Sequence, residues 1–316
     1  MRTSATIFAA MLLIGSIACS SEGAGPDGDD PTDADAGADD VPEPETGFQI
    51  VSPDIALMPG EEATWCYYTV LPVDVASGVK KWESVMTPGS HHMILYTTAS
   101  ETRPDGTLTE DCEVFGGGFD APVWTYAAQT PEAEFPMPEG VGMSIAANQP
   151  VVVQMHYLNA SDSELVANVT INGHTFAGNE SYQKAAAYVT YNTQINVPPG
   201  QSGGVSGTCQ IPSGASFFTM STHSHQFSTQ TRVSDAGSMV VVSDDWEHPE
   251  VAEFPAAPFF QFQSGSLTYE CDYFNTSNAM LQTGDSAETD EMCMAVGYFF
   301  PADGPVFCLN SFVVPL

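Results

Sequence analysis

Beyond Phe48 the chain is a succession of short, β-branched and aromatic runs, each cut off by Gly, Pro or Asn. Such runs cover Thr64 to Val70, Met93 to Thr98, Val151 to Tyr157, Val166 to Ile171, Ala187 to Ile195, Phe217 to Ser221, Met239 to Ser243, Leu267 to Phe274, Cys293 to Phe300 and Phe312 to Val314. No long stretch keeps a helical period, so the chain is expected to be all-β, built as sandwiches or jelly rolls. A length of 316 residues allows two such domains or one large one. The polar segment Asn179-Glu180-Ser181-Tyr182-Gln183-Lys184 lies between two groups of runs, which puts the expected domain boundary there, with one domain over 48–182 and another over 183–316. No internal repeat relates the halves.

The first residues read as an export signal over 1–18, with Arg2 as a minimal positive region and an apolar run from Ile7 to Ile14 that is too short to span a bilayer. Gly15-Ser16-Ile17-Ala18-Cys19 resembles a bacterial lipobox, although Ser16 stands where an aliphatic residue is usual. Ordinary signal peptidase would also cut before Cys19. The cysteine count favours the lipoprotein: there are seven, and a lipid on Cys19 leaves an even number to pair. The expected location is an outer-membrane or cell-surface lipoprotein, otherwise a periplasmic or secreted protein. Residues 19–47 are Gly, Pro, Ala, Asp and Glu with almost nothing to bury, and they read as an extended acidic tether. With 6 Lys+Arg against 40 Asp+Glu the net charge is −34, a field that repels nucleic acid. Membrane association is expected only through the anchor at Cys19.

Histidine placement carries the chemical signal. In Thr222-His223-Ser224-His225 an extended strand would aim both imidazoles at one face, where they can share a metal ion. Met292, in Asp290-Glu291-Met292-Cys293, would add a soft thioether from another strand, a donor set that favours copper and especially Cu(I). Upstream, His91 and His92 are adjacent in Ser90-His91-His92-Met93, so both can reach one ion only if the backbone bulges there. His156, in Gln154-Met155-His156-Tyr157, completes a possible three-histidine site. Gln154 shares its strand face. Tyr157 reads as core.

These four motifs, in this order and spacing, resemble the copper type II, ascorbate-dependent monooxygenases, whose members include peptidylglycine α-hydroxylating monooxygenase and dopamine β-monooxygenase. The resemblance covers everything after the tether. It implies two jelly-roll domains in tandem and two copper ions per chain. The first ion would be an electron-transfer copper on His91, His92 and His156, and the second a dioxygen-binding copper on His223, His225 and Met292. Gln154 would take the family's outer-sphere glutamine position. His174 and His248 match no ligand position. The resemblance further implies the bridges Cys66 to Cys112, Cys209 to Cys308 and Cys271 to Cys293, the last pinning the residue beside Met292.

The implied activity is hydroxylation of a C–H bond of a small organic substrate with dioxygen and a one-electron reductant such as ascorbate. The carboxylate clamp of the peptide-hydroxylating members is absent: its positions hold Ser221, Met294 and Val296. A neutral or apolar substrate is therefore expected. Loss of that clamp also motivates the alternative, a copper-binding lipoprotein that stores, delivers or senses the metal without catalysis.

Overall fold

The computed structural model describes residues 41–112, 122–178 and 180–314. The export signal, Cys19 and the tether up to residue 40 lie outside the described residues. Among the described residues there is no helix, and the chain is all-β.

The largest sheet runs in the order Gly47–Val51, Val169–Thr175, Ser77–Met86, Val141–Ile145, Gln183–Tyr191, Met294–Phe300, Ser216–His223 and Val251–Glu253. Val141–Ile145 and Gln183–Tyr191 pair in parallel, with Gln183 opposite Val141, so this sheet passes without a break across residues 182 and 183. One apolar core follows it. Trp82 stacks on Tyr126 with centroids 5.6 Å apart, and Phe135 meets Tyr298 at 4.6 Å. A second core gathers Tyr188, Phe217 and Phe299 with Tyr269 and Tyr273, all within the later part of the chain. Each fully buried ring of this kind contributes roughly 2–3 kcal/mol through the water it sheds.

Two smaller sheets carry the residues of interest. A five-stranded sheet runs Thr107–Thr109, Glu62–Val70, Pro150–Leu158, Ser90–Thr97 and Val123–Ala128. A four-stranded sheet runs Ser202–Gln210, Ser266–Phe274, Ser228–Asp235 and Ser238–Ser243. Disulfides join Cys66 to Cys112, Cys209 to Cys308 and Cys271 to Cys293. All three expected bridges are present, and they fit an extracellular or periplasmic protein, since such bonds persist in oxidising compartments.

Candidate metal centre

The turn at Pro88-Gly89 delivers the chain into Ser90–Thr97. Gly89 sits at φ +101°, where a side chain would be strained, and the N–H of Ser90 closes the turn on the Thr87 carbonyl at 3.2 Å. Two residues later the ladder breaks register. His92 stands opposite His156, but the next pair is Ser90 with Tyr157, so His91 is the extra residue of a β-bulge. The bulge turns a side chain that would face away onto the same side as its neighbour. As a result the Nδ1 atoms of His92 and His156 lie 3.1 and 3.3 Å from Nδ1 of His91.

His156 opposes Thr64 on its other flank and donates its Nε2–H to Oε1 of Glu62 at 2.9 Å. That bond fixes the tautomer and leaves the lone pair on Nδ1, aimed at His91. Nitrogens that each sit about 2.0 Å from a common ion are roughly 3.3 Å apart. His91 meets that requirement with each of its two partners, and the donor atoms of all three rings lie within 4.8 Å of one another.

His223 ends the strand Ser216–His223, opposite Met294, and its Nδ1–H donates to Oε1 of Gln129 at 2.8 Å. His225 lies beyond the strand rather than on it. Glu291 accounts for the break. Its carboxylate accepts the backbone N–H groups of His225 at 2.9 Å, Phe227 at 2.7 Å and Met292 at 3.2 Å, which takes the first two out of any ladder. Burial pushes the Glu291 carboxyl up to about 7 against those hydrogen bonds. The His225 ring donates Nδ1–H to the Asp290 carbonyl at 3.3 Å, which leaves Nε2 buried with a lone pair and no partner. An orphaned, lone-pair-bearing imidazole nitrogen is the group a metal would satisfy.

The two histidine sets adjoin. The His91 ring centroid is 5.0 Å from His92, 5.1 Å from His156, 5.7 Å from His223 and 5.8 Å from His225, and His92 is 5.3 Å from His223. The Trp246 ring lies 5.5 Å from that of His91. Burial holds four of these rings neutral: His91 is pushed down to about 3, His225 to about 4, and His92 and His223 well below the usual imidazole range. Neutral imidazoles, with one nitrogen of each ring free to coordinate, suit copper or zinc.

Met292 is buried and lines the same cavity as His92, His156 and His223, and its carbonyl accepts from the Tyr273 hydroxyl at 3.0 Å. It precedes the strand Met294–Phe300 instead of lying within a strand. The cavity measures about 640 Å³. Trp124, Tyr126, Phe135, Phe218 and Tyr298 form its aromatic wall, and no Lys or Arg is among the described residues that line it. Gln154 is buried against this cavity and accepts from the Tyr96 hydroxyl at 3.4 Å. Tyr157 is fully buried, as expected of core. His174 pairs with Glu83 at 3.1 Å, outside the cluster. His248 is exposed beside Asp245 and sits at the cavity wall, a placement its sequence context gave no reason to expect.

No family model matches the sequence, and no curated protein does either. Among solved structures the chain is similar to two of BuGH86 in complex with neoagarooctaose, one of a variant and one of the wild type. The variant shares 9% identity at a TM-score of 0.21, covering 80% of this chain and 34% of that one; the wild type shares 8% at 0.18, covering 80% and 35%. The chain thus spans about a third of the length of those proteins. Similarity at that level carries no functional argument.

Proposed function

We propose that this protein is a copper-dependent monooxygenase that hydroxylates a C–H bond of a small, neutral, largely apolar substrate. The reading rests on one observation: a cluster of five buried or half-buried histidines, with Met292 beside it, opens on an aromatic-walled cavity of about 640 Å³. His91, His92 and His156 would hold one copper; His223, His225 and Met292 would hold a second. Bound copper would supply one-electron chemistry with dioxygen, drawing electrons from a reductant such as ascorbate.

The chain's own groups do the rest. Gln129 and the Asp290 carbonyl orient the His223 and His225 rings by accepting their Nδ1–H groups. The aromatic wall excludes water and offers faces against which an apolar substrate packs next to His223 and Met292. Among the described residues of the lining no Lys or Arg offers an anion a partner. Two carboxylates of the wall, Glu134 and Asp111, are already engaged by Lys81 and Arg103. The cavity is also what favours catalysis over a copper carrier, which needs a ligand set but no organic pocket of this size. We further read each half of the chain as a jelly roll, and Cys19 as the lipid anchor of an exported protein.

The test is oxygen consumption by the copper-loaded protein with ascorbate and a panel of neutral aromatic and aliphatic substrates, alongside carboxylate analogues. We expect substrate-dependent oxygen uptake with one oxygen atom in the product, and no turnover of the carboxylates. Tight copper binding with no oxygen incorporated into any member of the panel would replace the enzyme by the carrier.

A further inference from the structure

We propose that Glu62 is a positioning residue that ties the two ligand sets into one unit, an inference that rests on the copper reading above. Glu62 is the first residue of Glu62–Val70, opposite Leu158 and two positions before Thr64, the residue opposite His156. Its half-buried carboxylate meets three donors. Oε1 accepts the His156 Nε2–H at 2.9 Å and the Ala287 backbone N–H at 2.8 Å, while Oε2 accepts the Ser286 hydroxyl at 2.9 Å. The first contact belongs to the three-histidine set. The other two hold the turn that serves the second set.

That turn is tightly specified. The Asp290 N–H bonds the Ser286 carbonyl at 3.0 Å, Gln226 donates to the Glu288 carbonyl at 2.6 Å, and the Asp290 carbonyl in turn accepts the His225 Nδ1–H at 3.3 Å. A continuous path of hydrogen bonds therefore runs from His156 through Glu62 and the 286–290 turn to His225. Toward His156 the carboxylate does two things: it keeps the proton on Nε2, so that Nδ1 faces His91, and it makes the imidazole a stronger donor, which favours Cu(II) over Cu(I). A Gln side chain could keep the two bonds at its oxygen and donate to the Ser286 hydroxyl, so what it lacks is the negative charge facing His156.

Glu62→Gln and Glu62→Ala, made in the full chain, are compared with the parent by chelator competition for copper and by redox titration of the bound copper. We expect the ion on His91, His92 and His156 to lose 10–100-fold in affinity in the variants, the usual effect of removing such a partner. The copper potential should rise in both, with Gln intermediate, because it restores one acceptor but no charge. Ala should in addition weaken the second ion, because the turn loses both of its bonds to Glu62. Parent-like affinity together with a parent-like potential in Glu62→Ala would overturn the proposal. A purely structural role would weaken binding without moving the potential, and that result overturns it too.

A parent that takes up no copper would defeat the copper reading, and the tie is then read in the metal-free protein. There, nitrogen NMR should find the His156 proton on Nε2, and hydrogen exchange should find the Ala287 amide protected, with both features lost in Glu62→Ala. Their persistence in that variant would overturn the tie itself.

Discussion

In the proposed centre Met292 would supply what the histidines do not, a soft donor that stabilises Cu(I). Met292→Ile keeps an apolar side chain of similar volume in a buried position, so the cost in stability should stay under about 1.5 kcal/mol by urea denaturation. Substrate-dependent oxygen uptake should nevertheless fall to background. Parent-like turnover in a folded Met292→Ile protein would reduce Met292 to a core residue. At this scale the motifs were legible because each is local: two adjacent histidines can share an ion only through a bulge, and the bulge falls at His91. Their supports were not. Glu62 lies 94 residues from His156, and Gln129 lies 94 from His223, so nothing near either marks it as a partner. Glu291 stood inside a recognised motif, yet its role as acceptor for three backbone N–H groups appears only when the chain from His225 to Phe227 folds onto it.

Among the elements, strands with β-branched or aromatic alternation were read close to their true limits, as at Pro150–Leu158 and Ser266–Phe274. Ser202–Gln210 was passed over because SGGVSGTCQ has the composition of a loop; it is a strand because Ser266–Phe274 pairs along its whole length and Cys209 is bonded to Cys308. The expectation that His223 and His225 share a strand fails for the reason given by Glu291, which captures the N–H groups a ladder would use. What fixes Met292 is its neighbour. Cys293 is bonded to Cys271 of the strand Ser266–Phe274, across a separation of 22 residues. Replacing both cysteines with Ala should cost about 3 kcal/mol by loop-entropy arguments, read as a lower urea midpoint. The five-stranded sheet carries His91, His92 and His156 independently of that bond, so their copper should remain. An unchanged midpoint would show that the bridge constrains nothing.

For the molecule as a whole, the composition announced an all-β, exported chain, but it could not show that the largest sheet would continue across residues 182 and 183, because pairing between distant strands leaves no local mark. Nor could it show the two histidine sets in ring-to-ring contact. Holding so many imidazoles neutral makes the metal-free protein sensitive to acid. For His91, His92, His223 and His225 the folded pKa lies below the unfolded value near 6.5, so the unfolded chain binds more protons and stability falls as pH drops through 6.5 toward 4. Glu291, raised to about 7, acts in the opposite sense between 4.5 and 7 and offsets one of them. The net slope remains positive, each uncompensated proton being worth about 1.4 kcal/mol per pH unit. Urea midpoints of the metal-free protein from pH 7 to pH 4.5 should therefore decline; a flat profile would mean the rings are not buried neutral. The central claim, a two-copper centre with one thioether, is met most directly by X-ray absorption at the copper edge on the reduced, fully loaded protein. We predict two copper ions per chain, imidazole nitrogen on both, and one sulfur scatterer for each pair of ions. A single ion per chain, or reduced copper with no sulfur neighbour, would contradict it.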